Sequence, residues 1–396
     1  MITWGAMTIR AILVLMALAP YALANSPRPT TLPIPNLGKS AITCATFSKS
    51  GAGAIAWLQG QNFSLRLLQR DQKRSTLIFH VRIMTRAGSE WPSCRLAFSA
   101  DSKLLAAGVS DKATLHLLIF DVRQRSLAYR LEIDKRIGAS PPFSLLGFLD
   151  DTRELALWSG AKVLNLPGAV AYADVTTLII HPEISGSSKV IIYRRRVTGR
   201  GEPPGWSDVA HNRLWYPNDP HFCPLSSVAL SGPPVPGPKV EKSETLGSAA
   251  CDDSEYLLYP RLDQLIGIAS RDSGGKLYDI KLGKHSRVLA ILNLPHVKVP
   301  HWAEIDSAVL SPDGRAATIM REIQSHGLFD NGRSWNDLAV IQIRPLMVLA
   351  HLRPPRHHRY LRRVAIGDRG AKVVLFACWD GTWMRYTIPL STRTPE

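Results

Sequence analysis

The sequence predicts an all-β fold: a seven-bladed β-propeller of four-stranded antiparallel blades, with a Pro-rich loop insertion. Three observations predict this fold. One strand–turn–strand unit recurs along the chain, further extended apolar segments follow several copies of it, and no long helical apolar period occurs after the N-terminus. The 396 residues are too many for a typical single core and suit either two or three domains or one large repeat architecture. The hydrophobic fraction of 45% is typical of a globular chain.

The first 24 residues have the pattern of a secretory signal peptide. Arg10 supplies a positive charge, the apolar segment AILVLMALAP follows, and Ala22-Leu23-Ala24 matches the small-x-small cleavage pattern. The alternative is a short membrane anchor, but the apolar run is too short to span a bilayer and Pro20 would interrupt its helix. We therefore expect a signal peptide at 1–24, a propeller domain at 25–396, and a secreted or periplasmic location.

The repeated unit is an apolar strand, a turn of short polar residues, and a second apolar strand, as in FSADSKLLA at 98–106. Short polar side chains satisfy backbone groups in such turns, and β-branched and apolar residues suit the strands. Copies are spaced by about 53 residues on average. Their first large apolar or equivalent residues are Phe47, Phe98, Phe148, Ile184, Ala250, Leu310 and Ile366. A β-sandwich made of similar short units is the alternative.

Third strands are predicted at LHLLIFDV (115–122), DLAVIQIR (337–344) and GTWMRYTIP (381–389), and fourth strands at LAYRLEI (127–133) and LMVLAHL (346–352). The unit LAFSADSKLLAAG…LHLLIFDV resembles the WD-repeat-like and TolB-type propeller repeats of exported bacterial proteins. LSPDGRAAT is similar to the Ser-Pro-Asp-Gly turn of that group, and Phe120-Asp121 and Trp379-Asp380 resemble the aromatic-Asp pair of WD repeats. The resemblance covers about residues 42–389 and implies a propeller, although the Gly-His pair of true WD repeats is missing.

The two ends of the chain predict how the ring closes. Only LSTRTPE follows the last predicted strand, which is too short for a well-packed fourth strand, so we expect TLPIP at 31–35 to supply the outer strand of the last blade. Pro33 and Pro35 are tolerable there because an outermost strand needs hydrogen bonds on one side only. The Pro-rich range 197–249 breaks the repeat pattern and is predicted to be a loop insertion.

The net charge and the sequence motifs limit the classes of function that the protein can have. The formal net charge of +16 favours anionic partners, whereas export argues against nucleic acid; a basic exported protein without a specific anionic ligand is the alternative. Catalytic motifs for acyl transfer, zinc hydrolysis and phosphate binding are missing from the sequence, and DNGRSWND at 330–337 does not have calcium-loop spacing. We expect no metal and no cofactor, and the sequence leaves the catalytic residues and the oligomeric state unknown.

The first strand of each propeller blade lines the central channel, so residues three and four positions before the repeat anchors are the candidate ligand-binding residues. They include Arg95, Arg362, Arg363 and Asp306. The arginines could hold carboxylate or phosphate at the channel mouth; alternatively, they pair with acidic side chains. The sequence therefore predicts an exported binding or scaffold module for a protein or anionic ligand. The alternative is a channel-mouth lyase or hydrolase acting on an acidic glycan.

Five cysteines leave the disulfide pattern open. Cys223 and Cys251 lie on either side of the Pro-rich stretch SGPPVPGP at 231–238 of the predicted insertion and are the first candidate pair. Cys44 and Cys94, from neighbouring inner strands, are the second, because their offsets from the anchors differ by one residue and their side chains should point to opposite blade faces. Free thiols are the third possibility.

Overall fold

The computed structural model describes strands and turns across most of the propeller region. Between residues 140 and 246 it describes side chains only for Gly147 and Phe148. The described residues are 29–32, 34, 42–68, 75–83, 93–110, 114–134, 140–148, 155–164, 172–181, 189–198, 208–210, 213–217, 225–229, 240–241, 244–246, 256–269, 275–282, 287–295, 301–325, 334–355, 361–368, 371–378 and 380–389. The expected signal peptide at 1–24 lies outside them.

All regular structure in these residues is β-strand, and the strands form seven sheets. The chain starts with the short strand β1 (Thr30–Thr31). The first sheet contains β2 (Ile42–Phe47), β3 (Gly53–Gln59), β4 (Asn62–Leu68) and β5 (Ser75–Arg82). The second contains β6 (Ser93–Phe98), β7 (Leu104–Ser110), β8 (Thr114–Asp121) and β9 (Ser126–Asp134).

The third and fourth sheets use the middle of the chain. The third sheet contains β10 (Ser140–Phe148), β11 (Leu155–Leu164), β12 (Tyr172–His181) and β13 (Lys189–Thr198). The next strands are β14 (Asp208–Ala210), β15 (Arg213–Pro217), β16 (Leu225–Ala229), β17 (Val240–Glu241) and β18 (Glu244–Leu246). Strand β17 pairs in parallel with β13, and the other four form the fourth sheet. The range 197–249 therefore supplies a sheet, which corrects its prediction as a loop insertion.

Three more sheets follow. The fifth contains β19 (Tyr256–Arg261), β20 (Gln264–Ala269), β21 (Gly275–Lys281) and β22 (Arg287–Leu294). The sixth contains β23 (His301–Leu310), β24 (Ala316–Ser325), β25 (Ser334–Gln342) and β26 (Met347–Leu352). The seventh contains β27 (Leu361–Asp368), β28 (Ala371–Cys378) and β29 (Trp383–Pro389), and β1 completes it.

The sheets stack face to face around an axis lined by their first strands. Strand β2 contacts both β6 and β27, β6 contacts β10, and β23 contacts β19 and β27. Side chains alternate between the two faces of each sheet, so one face of β3 packs on the second sheet and its other face packs on the seventh. Ala54, Ala56 and Leu58 share a buried cluster with Leu105, Ala107 and Val109, whereas Ile55 and Trp57 share one with Val373, Leu375 and Ala377. This arrangement is a β-propeller; seven blades stays a prediction.

The N-terminal segment closes the ring as the sequence predicts. Strand β1 pairs antiparallel with β29 at the outer edge of the seventh sheet, with Thr30 opposite Arg385 and Thr31 opposite Met384. The N–H of Leu32 donates to the carbonyl oxygen of Trp383 at 2.9 Å, and the Leu32 side chain is buried in the cluster between the first and seventh sheets. The first and last parts of the chain therefore share one blade.

A variant without residues 27–36 is expected to lose about 2 kcal/mol of unfolding free energy, which is the typical value of burying one leucine side chain. The deletion removes Leu32 from its cluster and exposes the hydrogen-bonding edge of β29. Urea denaturation of the two proteins measures the difference. Thr30→Ala, at an exposed position in the same strand, is the control and should change stability little. Equal unfolding free energies for the deletion variant and the wild type would contradict this account of ring closure.

The repeat alignment is right at five positions and wrong at two. Phe47, Phe98, Phe148 and Leu310 end the first strands of their sheets, and Ile366 lies near the end of β27. Ile184, however, falls between β12 and β13 of the third sheet, and Ala250 precedes β19, the first strand of the fifth sheet. An apolar–turn–apolar pattern marks any hairpin of a blade. It therefore does not tell the first hairpin of the third sheet from the last, and the placement of Ile184 is wrong for this reason. Ala250 lies in the chain between the last strand of the fourth sheet and β19, so the apolar segment that follows it begins a sheet instead of continuing one.

Cys44 and Cys94 form a disulfide between the first strands of the first two sheets, with their Cα atoms 5.6 Å apart. The prediction that their opposite orientation on equivalent strands disfavours this pair is wrong. In stacked blades, the front face of one sheet packs on the back face of the next, so residues that meet between blades come from opposite faces. The buried cluster between the two sheets contains both cysteines.

Candidate functional site

The candidate residues of the central channel lie on first strands, as predicted. Arg95 lies in β6 and Asp306 in β23, both at exposed positions. Arg362 and Arg363 lie in β27, but their side chains are outside the described residues. Asp306 and the two arginines thus belong to neighbouring sheets, whereas Arg95 lies two sheets beyond them around the ring. A ligand site built from these four residues stays a prediction.

Two other expectations concern cysteines and metals. Cys223 and Cys251 lie outside the described residues, so their pairing stays a prediction. Cys378, the one described cysteine without a disulfide, is buried, and burial together with the charge of Asp380 raises the pKa of its thiol to about 12. Such a thiol is unreactive at neutral pH.

Within the described ranges, no group of three or more His, Cys, Asp or Glu side chains could hold a metal ion.

The structure shows a different candidate site, a pocket of about 330 Å³ on one face of the ring. We call it the basic pocket; its polar lining residues are Arg261, Gln264, Arg315, Gln342, Arg344 and Lys372. The lining comes from the ends and turns of strands in the fifth, sixth and seventh sheets. These turns join first to second and third to fourth strands, which places them at the same end of the blades.

The turn between β23 and β24 forms one wall of the basic pocket. Ser311 Oγ donates to Asp313 Oδ1, and that carboxylate oxygen also accepts the N–H of Arg315 at 3.1 Å. The second sheet repeats this arrangement, since Ser99 Oγ donates to Asp101 Oδ1 at 2.7 Å and the N–H of Lys103 donates to the same oxygen at 3.1 Å. The repeated Ser-x-Asp turn is therefore a structural device of the blade, and in the sixth sheet it positions Arg315.

Gly314 allows this turn to pack on the fifth sheet. It has a φ of +68°, in the left-handed region that favours glycine, and an added Cβ would lie 2.7 Å from the carbonyl oxygen of Pro260. The N–H of Ile343 donates to the Arg315 carbonyl oxygen at 2.9 Å, which joins this turn to the turn between β25 and β26. In that second turn Gln342 Nε2 donates to the Arg344 carbonyl oxygen at 2.7 Å. The backbone that carries Arg261, Arg315 and Arg344 is thus held together.

Lys372 and Asp313 form an ion pair across the sixth and seventh sheets, with Nζ and Oδ2 3.3 Å apart. Lys372 is buried, whereas Asp313 is more accessible. The pKa of Asp313 is lowered: burial opposes its ionisation, but the hydrogen bonds from Ser311 and Arg315 and the charge of Lys372 outweigh that effect. Asp313 is therefore ionised at neutral pH and balances the charge of Lys372.

Gln264 forms the buried part of the lining. It is 1% exposed, and its Nε2 donates to Asp279 Oδ1 at 2.7 Å. The interpretation of the sequence missed the whole pocket because it considered only positions before the repeat anchors. Arg261, Arg315 and Arg344 each lie at a strand end or turn, in YPR, SPDGR and IQIR, but this local pattern does not indicate that they line one pocket.

Comparisons with known proteins show the fold but no family. No protein-family model matches the sequence, and no curated protein matches it. Among solved structures, the β-propeller domain of Cps50 (Swd1) from Myceliophteria thermophila is similar, with a TM-score of 0.51 and 8% identity, covering 91% of this chain and 100% of that domain. The AfRom2 CNH domain has a TM-score of 0.50 and 9% identity, covering 92% of this chain and 99% of that chain.

TolB from Acinetobacter baumannii is a weaker match, with a TM-score of 0.35 and 12% identity over 64% of this chain and 57% of that chain. We draw no inference from a likeness at that TM-score. The two stronger matches confirm the β-propeller fold, which the resemblance of the repeats to WD-repeat-like propellers implied. At these identities the likeness concerns the fold alone.

Proposed function

We propose that the protein is an exported β-propeller that acts as a binding or scaffold module for a protein or an anionic ligand. The main observation that supports export is the Cys44–Cys94 disulfide, which is buried between the first two sheets. Disulfides persist in oxidising compartments and are rare in the cytosol. The signal-peptide pattern at 1–24 supports the same location independently, and no described segment is a helix long and apolar enough to cross a membrane.

The fold supports binding. A propeller presents many short turns on each end of a rigid ring, and proteins of this architecture serve as platforms for partners. The chain carries a formal net charge of +16, and four of its cationic side chains line one pocket on the ring face. A positive field of this kind attracts anions and supports an anionic ligand.

Export is tested by expressing the full chain in a bacterial host and comparing it with a variant that begins at Asn25 after an initiator Met. We expect the full chain outside the cytoplasm with Asn25 as its first residue, and the shortened variant in the cytoplasm. N-terminal sequencing of the fractions decides. Intact Met1 in the cytoplasmic fraction of the full chain would overturn the proposal of export.

Peptide mapping of the exported protein, denatured without reduction, tests the disulfide. We expect a cross-linked peptide that joins Cys44 and Cys94, whereas Cys378 reacts with an alkylating reagent only after denaturation, since burial raises its pKa to about 12. In the chain-entropy model, the separation of 50 residues makes this bridge worth about 4 kcal/mol. The same map decides whether Cys223 and Cys251 are joined. Alkylation of Cys44 and Cys94 without reduction would contradict the disulfide.

A further inference from the structure

The basic pocket contains more positive than negative charge. Among the residues that the structure describes, Lys372 is paired with Asp313, but the guanidinium groups of Arg261, Arg315 and Arg344 make no ion pair. Three guanidinium groups at one pocket repel one another unless an anion lies between them. All three residues are exposed, and they bring three positive charges from two different sheets to the lining of one concave site.

The pocket is also fixed in shape. The ion pair of Lys372 with Asp313 joins the seventh sheet to the sixth, and the close packing of Gly314 on Pro260 joins the sixth to the fifth. The two turns of the sixth sheet are hydrogen-bonded to each other through Ile343 and Arg315. A site whose walls are already joined loses little conformational entropy when a ligand binds.

Its size limits the ligand. A volume of about 330 Å³ is at the lower end of the range of small-molecule sites, which begins at about 300 Å³. The lining offers guanidinium donors for an oxyanion and the amides of Gln264 and Gln342 for neutral polar groups. Arginine forks fit the oxygen pairs of carboxylate and phosphate, which distinguishes these groups from spherical anions such as chloride.

We propose that the basic pocket binds a carboxylate or phosphate group carried by a ligand about the size of a monosaccharide, with Arg261, Arg315 and Arg344 contacting the oxyanion. This inference rests on the proposed binding function and adds the site and the chemistry of the ligand to it. Lys372 has a positioning role, because its ammonium holds Asp313 and the turn that carries Arg315. The ionised Asp313 faces Lys372, so it does not neutralise the three arginines.

The experiment is isothermal titration calorimetry of the whole propeller with four probes: inorganic phosphate, glucose 6-phosphate, glucuronate and glucose. Glucose 6-phosphate and glucuronate, here together called the sugar acids because each carries an acidic group, share the glucose ring. Comparing them with glucose isolates the contribution of the oxyanion, and comparing them with each other separates phosphate from carboxylate. We expect binding of at least one sugar acid and none of glucose. Binding should weaken as the salt concentration rises from about 20 to 150 mM, because salt screens charges at the surface.

The double variant Arg261→Gln and Arg344→Gln should raise the dissociation constant of that sugar acid by tenfold or more, because each lost charge-assisted hydrogen bond is worth about one factor of ten. The matched control is Arg123→Gln with Arg287→Gln. It removes the same charge from positions that are also exposed but do not line the basic pocket. Arg123 lies in the third-to-fourth strand turn of the second sheet, as Arg344 does in the sixth. The control should bind within twofold of the wild type.

The outcomes separate the two proposals. If the wild type binds neither sugar acid better than glucose, both the pocket and the anionic half of the proposed function are wrong. If the wild type binds a sugar acid and the two double variants bind it equally well, the pocket is wrong, but an anionic ligand elsewhere on the protein remains supported. Equal unfolding temperatures of the variants exclude a loss of fold as the cause.

Discussion

Replacing Asp337 with alanine is expected to lower the free energy of unfolding by about 3 to 5 kcal/mol, because it leaves a buried guanidinium without its counter-ion. Arg321 and Asp337 lie opposite each other on β24 and β25 and are 2% and 6% exposed. Their two hydrogen bonds are 2.9 Å from Nε to Oδ1 and 2.7 Å from Nη2 to Oδ2. The third nitrogen of the same guanidinium donates to the carbonyl oxygen of Pro295 at 2.8 Å.

The ion pair joins the sixth sheet to the fifth, and the residue next to Asp337 joins the sixth sheet to the seventh, so loss of the pair should affect three neighbouring sheets. Pro295 follows the last strand of the fifth sheet, and Asn336, next to Asp337, accepts the N–H of Leu361 in the seventh at 2.8 Å. His351 lies near the pair, and its pKa is lowered by burial and by the charge of Arg321, against the attraction of Asp337. Urea denaturation at neutral pH measures the effect.

Two further variants make the measurement specific. Arg130→Ala removes a partner of Glu132 from a pair whose atoms are 2.6 Å apart but whose side chains are 39% and 51% exposed, and it should cost less than 1 kcal/mol. The double change Arg321→Met and Asp337→Leu removes both buried charges and should cost less than Asp337→Ala alone. If Asp337→Ala destabilises no more than Arg130→Ala, the pair does not have the structural role described here.

The general fold was predictable because the repeat is determined by interactions between residues close in the chain, namely apolar strands and the polar turns that join them. Phe47, Phe98 and Leu310 end apolar strands before short polar turns, and the turns after Phe98 and Leu310 indeed use the same Ser-to-Asp hydrogen bonds. Closure was predictable because the last sheet lacked a fourth strand and the chain before the first sheet contained an extended segment. The turns depend on residues that are neighbours in the chain, and the closure follows from the number of strands predicted for the last blade.

The disulfide and the basic pocket could not be predicted, because both depend on which residues of different blades come into contact. Cys44 and Cys94 were ranked from their offsets within one strand, whereas their contact depends on how two sheets stack. The basic pocket combines Arg261, Arg344 and Lys372 from three sheets, and no local pattern indicates that these positions converge. The placement of Ile184 is wrong because all hairpins of a blade share one pattern, and that of Ala250 is wrong because the connection between two sheets has the same pattern. Stacking between blades thus determines the candidate site, and a single sequence contains little information about it.

Where the first and seventh sheets meet, Gly367→Ala is expected to lower the free energy of unfolding by about 3 kcal/mol. Gly367 lies in β27 of the seventh sheet, against the side chain of Phe47 from β2 of the first. An added Cβ would lie 2.5 Å from Cδ1 and 2.8 Å from Cβ of Phe47, much closer than van der Waals contact allows. Phe47 is 4% exposed and packs in the buried cluster between the first and seventh sheets.

Gly147→Ala is the matched control, because Gly147 also lies in a first strand, β10, and an added Cβ would meet no atom of the described residues within 4 Å. Its stability should stay the same or rise slightly, since alanine reduces the entropy of the unfolded chain. Urea denaturation gives both values. A cost at Gly147 equal to that at Gly367 would mean that glycine is needed in these strands for its backbone and not for the space it leaves.

A double-mutant cycle with Phe47→Ala decides whether the clash with the ring is the cause. Removing the ring leaves only the contact between the two β-carbons, so Gly367→Ala should cost at least 1 kcal/mol less on the Phe47→Ala background than on the wild type, about the coupling expected of residues in contact. The cycle also remains readable if Gly367→Ala alone does not fold, because folding would then return on the background without the ring. Equal costs on both backgrounds would show that the first and seventh sheets do not meet through Phe47 and Gly367.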